Sequence, residues 1–187
     1  VFGDSLHQDI ESSDAAKLNH QLAEASLTVI QNKNQILPIQ QFENTNIAYV
    51  KIGEATGDYF LERMKHYTSI EELSLTDMLI NHKDYTHIIV GLHQPDHSPF
   101  VKHKLSQEVI EKLKKLCAQT KVNLVTFANP YSLLKLPLDA CESVVLAYQN
   151  GSIFQSKAAQ LVFGGLGANG KLPVPIGSYA QGSGLDI

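Results

Sequence analysis

The chain has 187 residues, of which 43% are hydrophobic and 18% are charged, a composition typical of a globular protein and too apolar for a disordered one. Its 15 basic and 19 acidic residues give a net charge of -4, so it lacks the basic excess of a broad nucleic-acid-binding surface. No apolar run approaches the roughly 20 residues that cross a bilayer, and we therefore expect no membrane span.

The two cysteines, Cys117 and Cys141, are too few for a disulfide scaffold. Cys117 lies at a core position of a predicted helix, and Cys141 precedes an apolar strand. We interpret both as small buried hydrophobic residues rather than as a bridge or reactive thiols. The cysteines therefore leave the cellular compartment open.

A helix is predicted over residues 14–29, because apolar residues recur there at intervals of four, three and four and share one face. These residues are Leu18, Leu22, Ala25 and Val29. Residues 1–13 are predicted to be a linker. Pro38 cannot continue a helix, so residues 36–39 are predicted to be an extended anchor.

Strands and helices then alternate along the chain. Apolar runs predict strands over residues 46–52, 70–75, 87–92, 122–127 and 143–148. Helical periodicity predicts helices over residues 56–67, 76–82 and 106–119. Continuous apolar strands are typical of a parallel sheet that is covered on both faces. We therefore predict an α/β fold, a three-layer α/β/α sandwich with a mostly parallel sheet.

The last helix is predicted to begin at Ser152, with Gln155 completing a capping box, and to end at Gly164 and Gly165. Residues 172–176 contain two prolines, which confine this segment to a sheet edge or a packed tail.

The loops at the carboxyl ends of the strands are the candidate functional region, because ligands and partners of such sheets meet the loops there. Their polar and aromatic residues are predicted to line an interface or a substrate cleft. These candidates are Glu54, Asp58, His93, Asp96, His97, Asn129, Tyr131, Gln149 and Asn150.

His93, Asp96 and His97 form the densest cluster of ionisable residues. Pro95 and Pro99 exclude the helix that would direct both histidines the same way. A solvated loop at a domain interface is our preferred interpretation. A metal site on this loop and an acid–base pair of Asp96 with a histidine remain alternatives.

Other catalytic patterns are missing from the sequence. Gly53 and Gly57 follow a strand, but without the glycine spacing of a dinucleotide site or the lysine of a P-loop. No serine occupies a nucleophile elbow. A glycosidase site needs two facing carboxylates, and a chain without tryptophan offers few sugar-stacking platforms. We predict no catalytic residue, cofactor or metal.

Three segments in order resemble the second domain of glycoside hydrolase family 3. Residues 22–39 are similar to the helix and proline-containing anchor at the entry of that domain. Residues 127–131, Phe-Ala-Asn-Pro-Tyr, resemble the family's Gly-Asn-Pro-Tyr turn. Residues 158–174 resemble its terminal helix, glycine stop and Gly-Lys-Leu-Pro-Val segment. The resemblance covers residues 14–176, nearly the whole chain.

The resemblance implies an accessory domain of a bacterial β-N-acetylhexosaminidase that acts in carbohydrate metabolism. Its partner in cis would be an amino-terminal (β/α)-barrel, which carries the family's nucleophilic aspartate and, in this branch, a histidine–aspartate proton donor. The β-glucosidase branch takes an acid/base glutamate from the second domain. Glu54 has that chemistry, but no motif assigns it the role.

Residues 177–187 fit a linker to a serine-hydrolase module, which some multidomain members of this branch carry. Carbohydrate would be bound through the parent enzyme, and export of that parent to the periplasm or cell envelope is compatible with the sequence. A free-standing flavodoxin-like or periplasmic-type domain that binds a small ligand is the alternative; it predicts an enclosed pocket with convergent polar groups.

Overall fold

The computed structural model describes residues 12–95 and 105–187. The helices in these ranges are α1 (Ser13–Ser26), α2 (Asp58–Lys65), α3 (Leu75–Asn81), α4 (Gln107–Gln119) and α5 (Ser152–Val162). The strands are β1 (Thr28–Asn32), β2 (Ile47–Ile52), β3 (Ile70–Glu72), β4 (His87–His93), β5 (Val122–Phe127) and β6 (Ser143–Leu146).

The six strands form one sheet in the order β1-β6-β5-β4-β2-β3. All neighbouring pairs from β6 to β3 are parallel, and β1 pairs antiparallel with β6 at the edge. Helices cover both faces, and each face has its own apolar core. Val90 packs with Met78 of α3 and Leu113 of α4 on one face. Val125 packs with Phe60 of α2 and Leu161 of α5 on the other. The predicted three-layer sandwich with a mostly parallel sheet is confirmed.

The first helix departs from the prediction. It ends at Ser26, and the residues that follow form β1, so Val29 belongs to a strand. The predicted apolar face is wrong as well, since Leu18 and Leu22 are 53% and 57% exposed whereas Ala23 is fully buried. The run Thr-Val-Ile at 28–30 is β-branched, which suits an edge strand better than another helical turn.

The remaining helices and strands confirm the predicted ones, with ends that shift by up to three residues. The predicted capping box is wrong. Gly151 is the N-cap of α5, no side chain caps this helix, and Ser152 is its first residue. The Gln155 side chain is fully buried and bonds to a neighbouring helix instead.

Both cysteines are buried, as predicted. Their sulfur atoms lie 3.7 Å apart, a proximity that the sequence did not reveal. The two residues lie 24 positions apart in the chain, at the end of α4 and just before β6.

The carboxyl-terminal segment forms a packed tail, one of the two predicted forms. Leu172 and Ile176 are buried. The Leu185 amide donates to the Val29 carbonyl, and Ala168 and Ile187 exchange two backbone hydrogen bonds. The interpretation of residues 177–187 as a linker stays a prediction. Most of the predicted linker 1–13 lies outside the described residues.

None of the helices within residues 12–95 and 105–187 combines the length and the hydropathy needed to cross a membrane.

Candidate functional site

The carboxyl ends of β2, β4, β5 and β6 lie side by side at one end of the strands, which we call the carboxyl edge. Helices α2 and α5 begin at the same edge, after the loops that follow β2 and β6. The loops that carry the candidate residues are therefore neighbours in the fold, as the strand alternation predicts.

His93, the last residue of β4, lies at the centre of this edge and is fully buried. Its Nδ1 atom lies 2.7 Å from Oδ1 of Asn150, and its Nε2 atom lies 2.7 Å from the hydroxyl of Tyr49. Its ring stacks on Phe127, with ring centroids 4.5 Å apart and an interplanar angle of 18°. The structure thus brings together two predicted residues, His93 and Asn150.

The hydrogen bonds fix the tautomer of His93. The Asn150 side chain donates through Nδ2 to the Thr56 carbonyl at 2.9 Å, so its Oδ1 faces His93 as an acceptor. The Nδ1 atom of His93 must then carry the proton and donate, which leaves Nε2 as an acceptor for the Tyr49 hydroxyl. Neutral His93 satisfies both of its neighbours.

Burial favours this neutral form. It lowers the pKa of His93 from 6.5 to about 4; the hydrogen bond with Asn150 opposes this shift, Lys51 adds to it, and Asp58 opposes it. Burial also raises the pKa of Tyr49, and the carboxylates of Glu72 and Asp58 raise it further. The Tyr49 hydroxyl therefore remains a donor at neutral pH.

Gln155 of α5 extends the network to the loop after β2 and to α2. Its Oε1 accepts from the Phe60 amide at 3.0 Å. Its Nε2 donates to the carbonyls of Thr56 and Asn150, at 3.2 Å and 2.7 Å. One buried amide thus satisfies backbone groups from three segments, which explains why it does not cap its own helix.

Two glycines leave space for the Tyr49–His93 hydrogen bond. A Cβ atom on Gly91 would lie 2.6 Å from His93 Nε2 and 2.8 Å from the Tyr49 hydroxyl. A Cβ atom on Gly57 would lie 2.8 Å from His93 Nε2 and would overlap the same hydroxyl. Any side chain at either position would push this pair apart.

The other candidates in the described ranges lie on the surface of this edge. Glu54, Asp58, Asn129 and Gln149 are exposed, and Tyr131 is 54% exposed. Asp58 begins α2, where a carboxylate suits the positive end of the helix.

The Asn129 side chain has a local structural role. Its Oδ1 accepts from the Tyr131 amide at 2.9 Å. It therefore caps the 3-10 helix Pro130–Lys135 and positions the exposed Tyr131 ring at this edge.

Asp96 and His97 lie outside the described residues, so the predicted cluster with His93 is not seen as a whole. Among the described residues, no three His, Cys, Asp or Glu side chains group as a metal site would require. His93 would have to give up a hydrogen bond to bind a metal or to transfer a proton.

Sequence reasoning missed Tyr49 and Gln155. In the sequence, Tyr49 is one more residue of a continuous apolar strand, although a buried tyrosine hydroxyl needs a partner. The spacing of Gln155 from Ser152 indicates a capping residue. Neither pattern identifies His93 or Phe60 as the partner.

The arrangement is suited to holding loops in place. A buried, neutral imidazole with both nitrogens engaged has no free position for a substrate proton. It instead joins the middle of β2 and the end of β4 to the loop after β6, beneath the exposed candidates.

Comparisons with known proteins agree with this architecture. No protein-family profile and no curated protein matches the chain. A structure from a fungal multi-domain GH3 beta-N-acetylglucosaminidase matches with a TM-score of 0.70 and 16% identity, over 91% of this chain and 20% of that one. A family 3 beta-N-acetylglucosaminidase from Paenibacillus sp. str. FPU-7 matches with a TM-score of 0.67 and 14% identity, over 89% and 33%.

A beta-glucosidase from Listeria innocua, in complex with glucose, matches with a TM-score of 0.69 and 12% identity, over 88% of this chain and 27% of that one. The chain thus spans between a fifth and a third of the length of these proteins. It has the α/β sandwich fold of one domain within larger family 3 glycosidase chains. The resemblance identified from the sequence is confirmed at the level of the fold.

Proposed function

We propose that this chain is the carboxyl-terminal accessory domain of a family 3 glycoside hydrolase, structural and cleft-lining rather than catalytic on its own. The proposal rests on the difference between the share of this chain and the share of each glycosidase that the structural match covers. About nine tenths of this chain, but only a fifth to a third of each glycosidase, take part in the structural match. Such a ratio is expected of one domain cut from a multidomain enzyme.

The carboxyl edge forms one wall of the substrate cleft in this proposal. Exposed groups at Glu54, Tyr131 and Gln149 provide hydrogen-bonding and stacking surface. Beneath them, the buried Tyr49–His93–Asn150 network holds their loops in position. A cleft wall needs that combination of polar surface and rigid support.

Helix α1 provides the surface for the partner in cis, a (β/α)-barrel that precedes it. Leu18 and Leu22 lie four residues apart, and so on one helical face, and both are more than half exposed on this first described helix. We propose that this apolar pair contacts the barrel. The resemblance to family 3 enzymes supports the same order of domains, in which this helix leads away from the barrel.

The parent enzyme is proposed to be a β-N-acetylhexosaminidase, which hydrolyses O-glycosyl bonds in carbohydrate metabolism. The sequence resemblance favours that branch, and two of the matched structures are from beta-N-acetylglucosaminidases. A serine-hydrolase module after residue 187 and export of the parent are further parts of the proposal; they rest on the resemblance alone.

Two assays test this role. The pure chain is incubated with aryl β-N-acetylglucosaminide and aryl β-glucoside, and we expect no hydrolysis above background. In the full-length enzyme, Tyr131→Ala and Gln149→Ala should each raise KM by about five-fold with little change in kcat, as expected when about 1 kcal/mol of substrate binding is lost. Ile80→Ala, exposed on α3, is the matched control. Turnover by the pure chain that Glu54→Gln abolishes would refute the proposal.

The flavodoxin-like or periplasmic-type alternative predicts an enclosed pocket with several convergent polar groups. An open groove of about 810 Å³ lies between α1, the loop after α5 and the chain end. Gln21, Ala168 and Ile187 are among its lining residues, and none of the seven candidates that the structure describes is. This groove does not support a ligand site at the carboxyl edge.

A further inference from the structure

We propose that Cys117 and Cys141 are a site of reversible oxidation and form an intramolecular disulfide when the protein folds in an oxidising environment. This inference is independent of the proposed function. It rests on the contact between two thiols that no pattern in the sequence brings together.

The two sulfur atoms are 3.7 Å apart and in direct contact. A disulfide requires an S–S distance of about 2.05 Å, so the sulfurs must approach each other by a little over 1.5 Å. We expect small side-chain rotations at both residues to supply this movement.

The backbones on both sides are already held in place. Cys117 lies in the last turn of α4. The Cys141 amide donates to the Leu138 carbonyl at 3.0 Å, and the Cys141 carbonyl accepts from Nε2 of Gln31 at 2.6 Å. The contact therefore belongs to the packed fold and not to a loose loop.

The two thiols differ in their readiness to react. The hydrogen bond between them lowers the pKa of Cys117 and raises the pKa of Cys141, and burial raises the pKa of Cys141 further. Cys117 is also the more accessible of the two, at 8% exposed against 0%. Cys117 is therefore the thiol that forms the attacking thiolate.

The oxidant is a low-molecular-weight disulfide such as oxidised glutathione. The Cys117 thiolate attacks one of its sulfurs, which forms a mixed disulfide and releases one glutathione thiol. The Cys141 thiol, still accessible during folding, then loses its proton and attacks the Cys117 sulfur, which closes the bridge and releases the second glutathione. Two protein thiols are oxidised, one disulfide is reduced, and the two protons leave with the glutathione products.

The bridge would fasten the end of α4 to the start of β6. The closed loop contains all of β5 and the turn that carries Asn129 and Tyr131. A cross-link of this span restricts the unfolded chain, and we expect it to raise Tm by roughly 5–10 °C.

The test is refolding from urea in a reduced/oxidised glutathione buffer and, in parallel, in dithiothreitol. Folding under these conditions exposes both thiols to the oxidant before they become buried. Free thiols are titrated in denaturant, intact mass is measured, and Tm is recorded before and after reduction. Cys117→Ala and Cys141→Ala are the controls, and each protein is compared with its own reduced form so that any cost of the substitution cancels.

We expect the oxidised parent protein to be monomeric, to contain no titratable thiol, to lose the mass of two hydrogen atoms and to show the higher Tm, which dithiothreitol reverses. Neither variant should show the shift in Tm. The proposal is overturned if both thiols remain titratable, if they carry separate glutathione adducts, if the chains cross-link between molecules, or if the bridge forms without raising Tm.

Discussion

The imidazole of His93 donates through Nδ1 to the side-chain oxygen of Asn150, 57 residues further along the chain, at 2.7 Å. This bond joins the end of β4 to the loop after β6, across the position of β5. Because Asn150 also holds the Thr56 carbonyl, three loops of the carboxyl edge depend on one side chain. The edge is held from beneath by neutral hydrogen bonds.

Removing one hydroxyl should weaken this support. In Tyr49→Phe, Nε2 of His93 loses its donor inside the core, and a buried acceptor without a partner costs about 1–3 kcal/mol. Urea unfolding should show this loss. The matched control is Tyr85→Phe, whose hydroxyl bonds to Glu71 in an exposed position and whose loss should cost less than about 0.5 kcal/mol. Equal effects at the two positions would contradict a buried network.

Acid should destabilise the domain through His93. The unfolded state takes up a proton with a pKa near 6.5, whereas the folded state does so only at about 4. Between these pH values the unfolded state binds more protons than the folded state. The contribution of neutral His93 to the free energy of unfolding is therefore fully present above pH 6.5. It is lost as the pH falls toward 4, by about 3 kcal/mol in total.

Unfolding at a series of pH values measures this loss. His87, whose pKa burial also lowers, adds to it in the same direction. The control is His93→Gln, which cannot titrate and should therefore show a shallower decrease between pH 6.5 and 4. An unchanged slope in this variant would assign the acid sensitivity to other groups.

A methyl group at Gly91 should disrupt the same pair. Its Cβ atom would meet His93 and Tyr49 at distances below 3.0 Å, so Gly91→Ala must displace one of them, and we expect a loss of about 2 kcal/mol or more. In the control Gly151→Ala, the new Cβ atom meets only Phe154, at an ordinary 3.7 Å, so the loss is limited to that of an alanine at this N-cap, about 1 kcal/mol or less. Thermal melts of both variants measure the difference. Equal losses of stability in Gly91→Ala and Gly151→Ala would contradict a steric clash at Gly91.

A charge inside the sheet tests the architecture. Val145 of β6 is fully buried in the core beneath α2 and α5, so Val145→Asp should cost several kcal/mol through an unpaired buried carboxylate. Ile80→Asp places the same charge on a side chain that is 72% exposed, and should cost less than about 1 kcal/mol. A Val145→Asp variant that melts within about 2 °C of the parent is incompatible with this sheet.

The three layers of the fold could be predicted from the sequence, because continuous apolar runs indicate strands buried on both faces and helical spacing of apolar residues indicates helices buried on one face. The first helix could not, since the spacing of Leu18, Leu22, Ala25 and Val29 continues past the true end at Ser26. There a buried alanine, Ala23, faces the protein, and the β-branched residues that follow pair with β6. The spacing of large apolar residues predicts one face of a helix as the buried face. It does not reveal that a helix packs through a small residue such as Ala23 on another face.

The candidate site was predictable only as a set of neighbouring loops. That His93 bonds to Tyr49 and Asn150 depends on the order of the strands and on the depth of each side chain, and neither is encoded in local spacing. The contact between Cys117 and Cys141 has the same origin, since it joins the end of α4 to the turn before β6.

The coding sequence immediately upstream of the Val1 codon decides whether this chain is one accessory domain of a larger glycosidase. We expect an in-frame region there that encodes a (β/α)-barrel with the family's catalytic aspartate. A start codon or a signal peptide directly before Val1 would contradict it and would favour a free-standing binding domain.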